Sequence, residues 1–378
     1  MLEGAKYFSG FGFQFRSHVC AVNFRTVMAA ASSKRINVGV IGLGWPGQMH
    51  SAAIAATPGT TLYGIADLSV EALQRVQKVS APLHTFTDYR DMLADPKVDA
   101  VVVGLPNFLH FMVSLDALKA GKHVLCEKPP TMDNREMRKL KLAAEKRGLI
   151  YAFGRQNRFS GEMLKARILV SSGRLGDVYY ARTHWYRSRG IPIGVGGWFT
   201  DAKRSGGGAI IDIGIHALDN AWFLMGAPRP VSVSAQVFQK FGRVVPREIH
   251  NDVDDCGFAF IRFENGAVIS LETTWAANLP PSKVDGWNGT QSSLLFGTKA
   301  SLETAPLRLY SEKGEGVQEV AVPVKETDRF QEQLKDFAKA VRTGEPPTSN
   351  AEQAVHLMQM LDAIYKSSRI GKEVRIVA

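Results

Sequence analysis

The stretch Ile36-Asn-Val-Gly-Val-Ile-Gly-Leu-Gly-Trp-Pro-Gly47 limits the possible folds more than any other part of this chain. A short apolar strand runs into Gly42-x-Gly44-x-x-Gly47; a helical pattern from Met49 to Ala56 follows, then a second strand, Thr61 to Asp67. A G-x-G-x-x-G alone says little. Between a strand and a helix, with an acidic residue twenty positions beyond Gly47, it reads as a dinucleotide-binding turn. Gly42 permits the tight turn, Gly44 lets the backbone approach a pyrophosphate, and Gly47 allows close helix–strand packing. The intervening Leu43, Trp45 and Pro46 share the loop, and the helix start offers backbone N–H groups to phosphates. Asp67 suits an adenosine ribose diol and would repel a 2′-phosphate, with no cation at Leu68-Ser69 to offset that. NAD is therefore expected rather than NADP.

Strands and helices alternate to about residue 155. Val98–Gly104 is a continuous apolar strand, as a parallel sheet covered on both faces requires. It ends in Leu105-Pro106-Asn107, ahead of a helix carrying His110. The next strand, His123–Cys126, ends in Glu127-Lys128-Pro129-Pro130, where the prolines fix the backbone that carries Lys128. In an open α/β sheet, ligands lie beyond the carboxyl ends of the strands. One cofactor there can touch Gly42, Asp67, Pro106, Asn107, Glu127 and Lys128.

Beyond residue 155 the pattern changes to alternating runs at Asp177–Arg187, Val231–Phe241, Cys256–Phe263 and Ala267–Trp275, with shorter ones to Tyr310. Such runs predict a mostly antiparallel sheet with a helix on one face, an α+β domain. That helix is predicted over 206–226, opened by glycines and apolar on most sides. Asp212, His216 and Asp219 nevertheless share one of its faces at i, i+4 and i+7. Charge buried without a partner is costly, so these groups either line a cavity or pair internally. A paired core histidine is the plain alternative. The Gly190–Trp198 and Asn278–Gly289 stretches are the longest irregular segments, and such loops often border sites.

Composition narrows the class further. The chain has 378 residues, 45% of them hydrophobic, and no apolar run of membrane length. Its net charge of +10 is scattered; the densest basic run, Arg135–Arg147, is interrupted by Glu136 and Glu145 and reads as a solvated helix face, which argues against nucleic acid. Cys20, Cys126 and Cys256 form no metal or disulfide spacing, so a reducing, cytoplasmic setting is expected. Residues 1–34 show neither helical nor strand periodicity and no secretory pattern. They are expected to be a disordered or mis-annotated extension ahead of a 35–155 Rossmann domain and a 156–378 α+β domain, whose last helix can pack back on the first.

Five motifs in this order, Gly42-x-Gly44-x-x-Gly47, Asp67, Pro106-Asn-x-x-His110, Glu127-Lys-Pro129 and Asp212-x-Gly-x-His216, resemble those of the Gfo/Idh/MocA oxidoreductases over residues 35 to 375. The Trp45-Pro46 pair is unusual but leaves all three glycines in place. The resemblance implies a Rossmann domain followed by an open, mostly antiparallel sheet that forms subunit interfaces, hence a homodimer or homotetramer. It also implies that Lys128, Asp212 and His216 surround the reacting carbon, with His110 among the cofactor residues.

Oxidising a secondary alcohol needs a proton removed from oxygen while hydride leaves carbon for the nicotinamide. His216 is the best candidate base, since imidazole titrates near working pH. Asp212 would orient that ring or hold a hydroxyl, and Lys128 would stabilise charge developing on the reacting oxygen. No metal is needed, and the Asp212–His216 pair lacks a third ligand. Family substrates are mostly sugars, sugar acids and cyclitols. Trp185, Tyr186, Trp198 and Trp287 offer aromatic faces to a pyranose, and Arg158, Arg187 or Arg189 offer donors to hydroxyls or a carboxylate. The leading reading is a sugar or cyclitol dehydrogenase. A redox-neutral NAD-dependent glycosidase would use the same residues, and an NAD-sensing regulator would not need them.

Overall fold

A computed structural model describes residues 35–194, 196–279, 283–284 and 287–377, with side chains left out for residues 283, 284, 287 and 288. The expectation for residues 1–34 lies outside the described residues. The first sheet is parallel, built from β1 (Ile36–Ile41), β2 (Thr60–Ala66), β3 (His84–Phe86), β4 (Ala100–Val103), β5 (His123–Cys126) and β6 (Tyr151–Phe153) in the order β3-β2-β1-β4-β5-β6. The strand order reverses between β1 and β4, and at such a switch point the connecting loops diverge to leave a crevice. Val101, Val102, Val103, Val124 and Leu125 are fully buried because helices cover both faces.

The second sheet comprises β7 (Val178–Arg187), β8 (Pro230–Phe238), β9 (Cys256–Phe263), β10 (Val268–Thr274), β12 (Trp287–Gly297), β13 (Ala300–Thr304), β14 (Leu307–Lys313), β15 (Gly316–Ala321) and β16 (Val374–Arg375). Its order is β15-β14-β13-β12-β7-β10-β9-β8-β16, with the short β11 (Lys283–Val284) paired to β12. Among the described strands of this second sheet, β7 and β10 alone run parallel; the other pairs are antiparallel. Strand β9 shows what faces what: Ala259, Ile261 and Phe263 point into the core, while Phe258 and Phe260 stand exposed on the other side.

The helix on the inner face departs from the sequence expectation of one continuous α-helix. Gly206 and Gly207 adopt positive φ, Ile210–Gly214 form a π turn, and Ile215–Leu224 continue as α-helix. Side-chain bulk explains the glycines: a Cβ at Gly208 would overlap the Asp254 carbonyl oxygen, and one at Gly214 would meet Thr273 Cγ2 at 3.1 Å. Asp254 caps this start, its carboxylate accepting from Gly208 N at 2.8 Å and Ile210 N at 2.9 Å. A π turn re-aims side chains by inserting one residue into the ladder, and such turns gather at functional sites.

The two sheets lie within one compact unit, Arg35–Ala378. Helix Arg329–Thr343 returns to the first sheet, where Phe330, Leu334, Phe337 and Ala338 join a core with Ile36, Val38, Val40 and Ile54. The last helix, Ala351–Ile370, packs against both β8 and helix Asn134–Glu145.

Candidate active site

The glycine turn shows which glycines the protein itself demands. Gly42 has φ +87° and closes against Gly104 and Leu105; a Cβ at Gly47 would overlap the Gly42 carbonyl oxygen. Gly44 is different: a Cβ there would meet nothing nearer than Pro46 Cδ at 3.9 Å. Packing leaves that position open, which suits a phosphate lying against the backbone. Helix Trp45–Ala56 begins there with no side-chain cap and with Pro46 in its first turn, so its N-terminal end faces outward unclaimed. Asp67 closes β2, its carboxylate accepting from Leu43 N at 2.7 Å and Ser69 N at 2.8 Å. Gly42, Leu43, Gly44, Trp45, Pro46 and Asp67 line one cavity whose glycine turn could hold a dinucleotide. Pro106, Asn107 and Glu127 stand at the neighbouring strand ends and line the same cavity of about 940 Å³. Asn107 Nδ2 is anchored on Ser205 O at 2.7 Å, and Glu127 Oε1 lies 2.7 Å from His50 Nε2. Burial pushes the Glu127 carboxyl up, but His50 and the Lys128 amide and ammonium outweigh it and hold the group below its usual range.

The opposite wall of that cavity carries Lys128, Asp212 and His216. Lys128 Nζ donates to Asp212 Oδ1 at 2.9 Å and to Asp212 O at 3.1 Å. Trp275 Nε1 donates to Asp212 Oδ2 at 2.9 Å, and Arg187 Nη1 stands 3.7 Å away. Burial favours the protonated acid, yet Lys128, Arg187 and Trp275 together keep Asp212 below the ordinary carboxylate range. His216 sits edge-on to Trp185, with ring centroids 5.4 Å apart, and its Nδ1 takes a short hydrogen bond from Arg155 Nη1. Burial and the surrounding cations Arg155, Lys128, Arg329 and Arg187 hold its pKa well below the usual imidazole value. The ring is therefore neutral at working pH. Trp198, stacked on Phe199 at 3.9 Å, and Pro192 bring the Gly190–Trp198 loop to the cavity.

Comparison with known proteins agrees with this geometry. Residues 36–155 match the oxidoreductase family with an NAD-binding Rossmann fold, and residues 163–303 match the GFO/IDH/MocA C-terminal domain. The chain is 30% identical over 361 residues to D-glucoside 3-dehydrogenase of Escherichia coli (strain K12), covering 92% of this chain and 99% of that protein. This chain belongs to the Gfo/Idh/MocA family. It is 26% identical to myo-inositol 2-dehydrogenase of Thermotoga maritima over 349 residues, or 90% of this chain and 98% of that one. Levoglucosan dehydrogenase in complex with NADH superposes with a TM-score of 0.81 at 23% identity, covering 91% of this chain and all of the other, a likeness of fold. The Gfo/Idh/MocA chain described here is thus an NAD-binding oxidoreductase with the expected parallel and mostly antiparallel sheets.

Within this Gfo/Idh/MocA frame three expected residues take different places. Arg158, expected at the substrate, is fully buried: Nε and Nη2 hold Asp219 at 2.9 and 2.6 Å, Nη1 reaches Thr348 O and Gln353, and the plane lies over Phe223. It knits the core and does not line the cavity. His110, expected at the cofactor, is buried behind it, spanning the Pro129 and Leu105 carbonyls at 2.7 and 2.6 Å and so tying two of the lining loops together. Gly47 acts through helix packing behind the loop. Asp219, on the polar helix stripe, is taken by Arg155 and Arg158. The sequence reading missed Arg155, Gln156, Asn157 and Arg329, of which the last three line the cavity. For residues 155–157 the signal was position, since they follow the carboxyl end of β6, where the strand-end rule was not applied. The Trp287 side chain lies outside the described residues.

Proposed function

We propose that this protein is an NAD-dependent dehydrogenase that reversibly oxidises a secondary CH–OH group of a sugar, glycoside or cyclitol. The observation that carries this reading is one cavity joining the glycine loop and Asp67 to Lys128, Asp212 and His216. When bound, NAD supplies the hydride acceptor. The protein's own groups hold and polarise the alcohol. Lys128 Nζ reaches the reacting oxygen, fixed in place by its bond to Asp212, which Trp275 pins from the other side. His216 offers its second nitrogen to the same region. Trp185, Trp198 and Phe199 give flat apolar faces that exclude water and suit the C–H face of a pyranose. The name of the Escherichia coli relative directs the first assay to glycosides, and that of the Thermotoga maritima relative to inositols.

A screen for NADH formation over free sugars, alkyl and aryl glycosides, sugar acids and inositols tests the reading. Turnover of at least one class with stoichiometric NADH is expected; aryl-glycoside cleavage without NADH would replace it with redox-neutral glycoside elimination. The open face of the second sheet, with Phe258 and Phe260 exposed, supports a homodimer or homotetramer closed through that face. Light scattering on the wild type and on Phe260→Glu checks it, the variant being expected to shed the larger species. A cytoplasmic location is proposed on the free, buried thiols of Cys126 and Cys256. Among the described residues no helix is long and apolar enough to cross a membrane.

A further inference from the structure

The buried arginine beside His216 decides which way that histidine handles a proton. Arg155 follows β6 and Gly154 and is fully buried. Its Nε donates to Asp219 Oδ2 at 2.7 Å, its Nη2 to His216 O and Asn220 Oδ1 at 3.2 Å each, and its Nη1 meets His216 Nδ1. A guanidinium has donors only and keeps its protons. His216 Nδ1 must therefore be the acceptor, which leaves the ring's single proton on Nε2. Arg155 occupies Nδ1, and His216 lines the cavity.

Resting on the dehydrogenase reading above, we infer that Arg155 is a positioning residue that holds His216 in the Nε2–H tautomer, so that the ring meets the reacting oxygen as a hydrogen-bond donor. The groups facing the ring support this. Arg155, Lys128, Arg187 and Arg329 are cationic, while the two nearby carboxylates are spent, Asp212 on Lys128 and Trp275, Asp219 on Arg155 and Arg158. A second positive charge on the imidazole is disfavoured from all sides.

The direct test is nitrogen NMR of ¹⁵N-histidine-labelled protein without ligand, with His216→Gln marking the His216 signals. Wild-type His216 is expected to show a bare Nδ1 and a protonated Nε2 from about pH 5 to about pH 9. In Arg155→Met the ring should begin to titrate toward the ordinary value of about 6.5. Arg155→Lys keeps a donor at Nδ1 and should restore the wild-type pattern. Arg158 still holds Asp219 through two bonds, so Asp219 keeps a cationic partner in these variants. A proton on Nδ1, or wild-type titration near neutrality, overturns the inference even if Arg155→Met fails to fold. With a substrate in hand, Arg155→Met should lower kcat roughly tenfold to a hundredfold and add an acidic limb absent from the wild-type pH profile. A histidine limb in the wild-type profile would overturn the inference. Absence of any NADH-forming substrate would overturn the dehydrogenase reading while the NMR result on Arg155 stood.

Discussion

Gly44 and Gly47 lie three positions apart in one loop, yet their replacement by alanine should have opposite consequences. Gly44 has φ −60° and ψ −173°, which alanine adopts freely, and its Cβ would stand 3.9 Å from the nearest atom, ordinary van der Waals distance. Gly44→Ala should therefore leave stability unchanged or raise it by about 0.4–1 kcal/mol through a less flexible unfolded chain. The new methyl would instead occupy space that a pyrophosphate needs to reach the backbone N–H groups. Losing one or two charge-assisted hydrogen bonds of about 1.5–3 kcal/mol each weakens binding by roughly tenfold to on the order of ten-thousandfold. In Gly47→Ala the Cβ overlaps the Gly42 carbonyl oxygen, part of rigid backbone, so helix and strand must separate. A cost of about 1–3 kcal/mol or more follows. Denaturant melts without ligand, paired with NADH fluorescence titrations, read both effects. Wild-type NADH affinity in Gly44→Ala would refute the placement of phosphates over that residue, and an unchanged melt in Gly47→Ala would refute the packing account.

Asp67→Ser should relax the preference for NAD over NADP, read as the ratio of kcat/KM values on one substrate; an unchanged ratio would remove Asp67 from the ribose. Lys128→Ala and His216→Ala should each bind NADH nearly as the wild type does while kcat falls about a hundredfold or more, and near-normal turnover in both would displace the active site. Asp219→Asn strips the shared anion from two buried guanidinium groups and should cost about 3–5 kcal/mol in equilibrium unfolding, with a loss under 1 kcal/mol contradicting its role as the core counter-ion. Burial alone would lower His110, but the Cys126 sulfur and the two carbonyls raise it to about 9. Its protonation therefore stabilises the fold fully below about pH 6.5 and is lost as pH climbs through about 9, so the stability gap between wild type and His110→Gln should shrink over that window.

Much of this was legible in the chain because the informative residues obey local rules. The turn glycines, Asp67 and the Glu127-Lys128 step each sit at a strand's carboxyl end, and one geometric rule gathers them. Asp212 and His216 were legible as polar positions on an apolar helix. What escaped depends on partners distant in sequence. Arg158 and Arg155 are equally plausible donors in a string of letters; only the fold reveals that Asp219 holds both and that Arg155 also reaches His216. The π turn escaped because it is imposed by the fit of Gly208 and Gly214 against Asp254 and Thr273. The tautomer of His216 escaped for the same reason: imidazole chemistry is set by what lies on Nδ1, and that neighbour is 61 residues away.

The return of helix Arg329–Thr343 to the first sheet has a bearing on how the chain is born. Leu334 and Phe337 finish a core whose other members, Ile36, Val38 and Ile54, leave the ribosome some three hundred residues earlier. Strand β6 likewise waits for Ser349, whose carbonyl accepts from Phe153 N at 3.2 Å. The nucleotide-binding half therefore emerges with an uncovered apolar flank and must keep it guarded until synthesis is nearly complete. Ribosome-stalled chains ending near residue 160 should bind chaperones and succumb to protease, and protection should arrive abruptly once the segment past residue 343 has cleared the exit tunnel.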